Sequence, residues 1–207
     1  MHKDTKMKAK FLAAALMILA ACSSKTGWTE AEKAIIGANT PLRVLTVYDN
    51  ADSLVLRTPC AELSVGEISS ELFGRLSDAL IATVTDPSQD GVGIAAPQVG
   101  LSRRVIAVQR FDKEGEPFEV YPNARIAAVR GEMLPGPEGC LSIPGWRGDV
   151  LRYRDVDVAY TSPVTLRDTL ERVQGYSAII FQHECDHLDG ILYTDKVVAG
   201  SLYQKLD

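Results

Sequence analysis

Apolar residues recur at spacings of three and four through Ile68, Leu72, Leu76, Ala79, Leu80 and Val84. That period predicts an amphipathic helix across VGEISSELFGRLSDALIATVTD, stopped by the polar turn around Pro87. Upstream, Thr29 and Glu32 stand in capping-box spacing at the head of a short helix that Gly37 would end. RVLTVY (Arg43 to Tyr48) alternates and predicts a strand, as does RRVIAVQRF, which DKEGEP turns into FEVYPNARIAAV. RDVDVAYTSPVTLRDTLERVQG alternates across a second hairpin turning near Ser162–Pro163. The last apolar run, Tyr176 to Phe181, enters QHECDHLDG without a breaker and predicts a helix ending at Gly190. Strands followed by a terminal helix predict one α+β domain, with no internal repeat and no second-domain linker.

Composition narrows the partners. With 46% apolar and 24% charged residues, the 207-residue chain is ordinarily globular and long enough for a full core. Residues 1–10 hold four lysines and one aspartate, a local +3, so the remainder carries −8 of the net −5. An acidic body without a basic cluster excludes nucleic acid as the expected partner. The basic start precedes FLAAALMILAA, eleven apolar residues that suit a signal peptide and are too few to span a bilayer. LAAC (Leu19 to Cys22) then resembles the lipobox of bacterial lipoproteins, in which the residue like Cys22 is lipidated. The expected organisation is a signal peptide over 1–21, a tether over 22–29 and a catalytic domain over 30–207. The expected location is the cell envelope, with the lipid on Cys22 as the one membrane contact, or the cytoplasm if the signal is not used. Without Cys22 three cysteines remain (Cys60, Cys140 and Cys185), an odd number that excludes a complete disulfide framework.

Two of the chain's three histidines lie in HECDH. Four positions on a helix turn about 40° past a full circle, so His183 and His187 share a face and can share a metal ion. Glu184, about 100° round, reaches water beside such an ion without ligating it. Cys185 falls on the opposite face, where a small buried hydrophobe is the expected role. Asp186 is either a solvated charge or a partner that orients a histidine. A third ligand is needed, and none follows: after Gly190 there is no histidine, and Asp195 is the only acidic residue before Asp207. It must come from upstream, where Cys140 stands in the Gly/Pro-rich stretch GPEGCLSIPGWRG. GVGIAAPQVG adds glycines that permit close backbone approach and a lone amide, Gln98, in apolar surroundings.

Taken in order, GVGIAAPQ, EGCLS and HECDH resemble the three signature motifs of peptide deformylases, G-x-G-x-A-A-x-Q, E-G-C-x-S and H-E-x-D-H. The resemblance runs from about Arg43 to Val197, and one mild departure is YPN, where the family usually has Asn before Pro. It implies antiparallel sheets around a C-terminal metal-binding helix. It further implies one divalent metal held by Cys140, His183 and His187, with a position left for water. Fe(II) is the usual family metal; zinc, nickel or cobalt also fit such ligands. Glu184 would act as general base and then acid, with the Gln98 amide and the Leu141 N–H as oxyanion donors. Gly93 would contact a bound peptide, Val92, Ile179 and Arg147 would line its pocket or touch it, and Glu138 with Arg152 would brace the cysteine loop.

The reaction implied is hydrolysis of the formyl group from N-formyl-methionyl peptides by a monomeric enzyme. Another extracytoplasmic amide is the alternative substrate, since an export signal separates the protein from nascent chains. A binding protein without turnover would have no need of Glu184.

Overall fold

The computed structural model describes residues 27–89 and 91–204. The predicted signal peptide and Cys22 lie outside the described residues. Four helices come first: α1 (Glu30–Ile36), α2 (Asn50–Leu56), α3 (Val65–Ile68) and α4 (Glu71–Val84). Strand β1 (Gly93–Ala95) runs into a 3-10 turn, Ala96–Val99. Then follow β2 (Val105–Gln109), β3 (Phe118–Pro122), β4 (Arg125–Arg130), β5 (Leu134–Cys140), β6 (Ile143–Arg152), β7 (Asp155–Thr161) and β8 (Asp168–Gln174). Helix α5 (Gly175–Leu188), a second 3-10 turn (Tyr193–Asp195) and β9 (Tyr203–Gln204) complete the order. The strands form three antiparallel sheets ordered β1-β2-β3, β4-β7-β8 and β5-β6-β9, the α+β arrangement expected.

The first sheet lies between two helical layers, and its strand period decides which side chain meets which layer. Val105 and Ala107 of β2 pack with Leu76, Leu80 and Val84 of α4, while Ile106 and Val108 pack with Ala178, Phe181 and Leu188 of α5. A strand buried on both faces reads as a continuous apolar run. Helix α5 is therefore enclosed, with β1 and β2 on one side and β4, β7 and β8 on another. At its N-terminal end the fully buried Arg110 donates to Asp112, Glu171 and the Tyr121 hydroxyl, and its guanidinium lies 5.6 Å from the Phe181 ring centroid. A buried cation persists only when so paired.

Four elements differ from expectation. Arg43 to Tyr48 is not a strand, because its N–H groups serve two separate turns: Leu45 donates to Gln98 (2.7 Å) and Val47 to Ser142 (3.0 Å). The long helix is broken at Ser69–Ser70, where the Ser70 hydroxyl accepts from Phe73 N and starts a new helix. Helix α2, capped by Asp49, was masked by its short length. The stretch around Cys140 is a β-hairpin rather than a loop.

Gly190 closes the α5 terminus at φ +72°, and a Cβ there would come 2.5 Å from the Arg57 carbonyl oxygen. Gly190→Ala is expected to cost at least about 2 kcal/mol, from left-handed strain plus backbone displacement. A lower urea midpoint at unchanged m-value would show it; an unmoved midpoint would exclude it.

Candidate metal centre and active site

Cys140 ends β5 where the hairpin register slips, so that it pairs with Ile143 across the tight turn Leu141–Ser142. The slip aims its sulfur at α5. There His183 and His187 stand one turn apart with ring centroids 5.1 Å from each other. The Cys140, His183 and His187 ligand atoms all lie within 4.8 Å of one another, and Cys140 Sγ is 3.2 Å from His187 Nε2. Bonds of roughly 2.0–2.3 Å to one ion span such a set with small side-chain shifts. A thiolate with two imidazoles also suits a borderline-soft divalent ion, so the residues fit the metal.

The surroundings hold the ligands in place. His183 Nδ1 lies 2.8 Å from Glu138 Oε2, which leaves Nε2 for the metal. Glu138 also accepts from Arg152 Nε (2.7 Å) and Nη2 (3.0 Å). Burial raises the Glu138 pKa, but the His183 and Arg152 hydrogen bonds outweigh it and hold the value at about 2. Burial disfavours a charged His183, yet its hydrogen bonds to Cys140 and Glu138 keep its pKa well above the usual imidazole value. Burial, reinforced by the neighbouring His183, pushes His187 well below it. Ligation needs both rings neutral, so a bound ion would take the place of the proton that Cys140 and Glu138 favour on His183. The His187 Nδ1 and Glu184 Oε2 atoms are buried without a hydrogen-bond partner.

Glu184 lies beside this set, fully enclosed, and burial pushes its carboxyl up to about 7. Its Oε1 would be 2.6 Å from a Cβ on Gly93, so glycine alone lets β1 pass this close to α5. The Gln98 Oε1 accepts from Ala95 N at 2.8 Å, which turns its Nε2 toward Ser142 Oγ (3.2 Å) and Cys140 Sγ (3.6 Å). One amide orientation is thereby selected, with the N–H groups on the metal side.

The polypeptide deformylase family profile matches residues 42–201. A peptide deformylase of Symbiobacterium thermophilum is 50% identical over 118 residues, 55% of this chain and 51% of that one, so the match spans about half the length of that relative. One from Leptospira biflexa is 35% identical over 156 residues, covering 72% and 86%. The class I type b peptide deformylase of Acinetobacter baumannii superposes with a TM-score of 0.68 at 36% identity, over 77% of this chain and all of that one. The Thermotoga maritima enzyme gives 0.67 at 29% identity. The chain belongs to the polypeptide deformylase family.

The deformylase signature stretches meet around a single cavity of about 780 Å³. Cys140, His183, Glu184, Gln98, Leu141 and Gly93 all line it. Val92, Ile179 and the exposed Arg147 line it as well. His187 is 1% exposed and sits behind the others. Cys185 is buried in the apolar cluster, as its helix position implied, and burial raises the Cys60 thiol to about 12. Asp186 bonds Arg152 Nη1 (2.6 Å) and Lys196, so it supports His183 only through Arg152 and Glu138. Sequence reasoning missed Ser142, the partner of Gln98, and Tyr193, whose buried ring stacks 6.1 Å from His183. Ser142 is the serine of EGCLS and Tyr193 lies within the span the family profile matches, but neither residue type signals its contact without its neighbours.

Glu138→Gln leaves His183 without its carboxylate partner. Metal affinity is expected to fall about 10–100-fold, measured by competition with a chelator. Unchanged affinity would remove Glu138 from the centre.

Proposed function

We propose that the chain removes the formyl group from N-formyl-methionyl peptides, with Cys140, His183 and His187 holding the catalytic ion and the adjacent residues moving the protons. The observation that carries this is a buried, unpartnered carboxyl, Glu184, beside a Cys-His-His donor set at the base of a cleft between two sheet edges. In their sheets β1 and β5 are terminal strands, and residues of both line the cavity. An extended peptide fits there as an added strand, its formyl end at the donor set. Gly93 offers backbone groups to it, and Val92 and Ile179 flank its first side chain.

The divalent ion, when bound, supplies a Lewis acid that polarises the formyl oxygen and acidifies the attacking water. Iron(II) is the family's usual choice, and zinc, nickel or cobalt suit the same donors. Glu184 accepts the water proton and hands it to the departing amine, which its environment suits by keeping its pKa near neutrality. The Gln98 amide and the Leu141 N–H stabilise the oxyanion, each such donor being worth about 3 kcal/mol.

Formate release should be followed with a formyl-Met peptide and the metal-loaded protein. Glu184→Ala is expected to lower kcat/KM by at least about 100-fold without loss of metal. Equal rates would overturn the mechanism. Catalysis needs the ionised carboxylate, so kcat/KM must fall as pH drops through the Glu184 pKa. Burial, acting against the charge on His183, raises that value from 4.5 to about 7, and the added positive charge of a bound ion would draw it down. The acid limb is therefore expected between these limits, and a limb below 4.5 would contradict the role of burial.

The lipobox resemblance further supports attachment to the cell envelope through Cys22, with formylated peptides outside the cytoplasm as substrate. Among the described residues no helix is long and apolar enough to cross a membrane. Labelled lipid is expected on the wild type and not on Cys22→Ser; label on neither would exclude the anchor.

A further inference from the structure

Two arginines near the end of β6 reach toward β5, and among the described residues only one meets a carboxylate. Arg152 bonds Glu138 and Asp186. Arg154 makes no ion pair with any carboxylate among the described residues, yet it lines the active-site cavity. Gly136 gives it room there, since a Cβ on Gly136 would lie 3.3 Å from Arg154 Nη2. Gly136 is two residues before Glu138 on an unshifted stretch of β5, so both positions face the same way. Glu138 reaches His183 from that face, which makes it the face toward the site.

The Arg154 carbonyl accepts from Gly175 N at 2.8 Å, which sets the residue beside the first turn of α5. Tyr176 also lines the cavity and precedes His183 by seven residues on α5, about 10 Å along the axis. A formylated residue with its formyl carbon at the donor set extends its side chain about 8 Å, toward Ile179, Tyr176 and this guanidinium. A thioether is a weak acceptor and offers a guanidinium little in exchange for its water. A carboxylate in the same place takes a charge-assisted, two-pronged hydrogen bond.

We propose that Arg154 is a specificity-determining residue whose guanidinium, at the far end of the side-chain pocket, selects formylated first residues ending in an oxygen acceptor, a carboxylate foremost. This rests on the deformylase reading above. It extends the accepted peptides beyond formyl-methionine to formyl-glutamate.

The test compares formyl-Glu-Ala-Ser-amide with formyl-Gln-Ala-Ser-amide on the metal-loaded protein. The Glu/Gln ratio of kcat/KM is expected at about ten for the wild type, the worth of one charge-assisted hydrogen bond. It should be near one for Arg154→Leu and below one for Arg154→Glu. Each ratio is internal to one variant, so partial misfolding cancels. Equal ratios in wild type and Arg154→Leu would overturn the proposal. So would a preference that follows a free C-terminal carboxylate instead of the first side chain, read from acid and amide forms of each peptide. If the wild type turned over no formyl peptide, the deformylase reading would fail. Calorimetric binding of Glu-Ala-Ser-amide against Gln-Ala-Ser-amide would still test position 154 by the same ratios.

Discussion

Glu138 is the joint on which the site depends. Its carboxylate takes two hydrogen bonds from Arg152 and one contact from His183, while Arg152 continues to Asp186. Glu138 and Arg152 are both nearly inaccessible to water. Burying such charges is costly, and loss of one member strands the others, so the group holds together or fails together. It ties the β5–β6 hairpin, which carries Cys140, to α5, which carries both histidines. Beside it, Gln182 of α5 exchanges hydrogen bonds with the Tyr153 backbone just after β6 (2.7 and 3.1 Å).

Further ties set the orientation of that joint. The Arg110 group holds the N-terminal part of α5 against β2, β3 and β8, and the chain around Gly190 fits against the Arg57 backbone at the other end. The irregular segment Arg43 to Tyr48 links the turn bearing Gln98 to the turn bearing Leu141 and Ser142 through two backbone hydrogen bonds. The two groups assigned to the oxyanion are thus fixed relative to each other by a segment that touches neither reacting atom. A cleft between two terminal strands remains open to a peptide because only glycine, at position 93, stands between β1 and Glu184.

Much of this was legible in the chain. The His183–His187 spacing, Glu184 between them and the lack of a downstream ligand pointed to an upstream third donor, and the family motifs named Cys140. The capping box at Thr29 and the end of α5 at Gly190 were readable because caps are local hydrogen-bond patterns. Other elements were not. Ser70 restarts a helix whose apolar period continues unbroken across the gap, so period alone could not reveal it. The alternation in RVLTVY looked like a strand, but no neighbouring edge takes it up. Proline and glycine around Cys140 suggested a loop, whereas β6 supplies a partner that makes it a strand.

The sequence by itself determined the chemistry available: a thiol, two imidazoles one helical turn apart, a carboxyl between them and an amide in apolar surroundings. Residue type and short spacing encode these directly, through the fixed period of the helix. Only the tertiary structure decided their distances, since Cys140 and His187 are 47 residues apart in the chain and 3.2 Å apart in space. It also decided that Arg152 is neutralised while Arg154 is left beside the cavity, and that Glu184 is buried enough to titrate near neutrality. Those outcomes depend on what packs around each group, which no local pattern records.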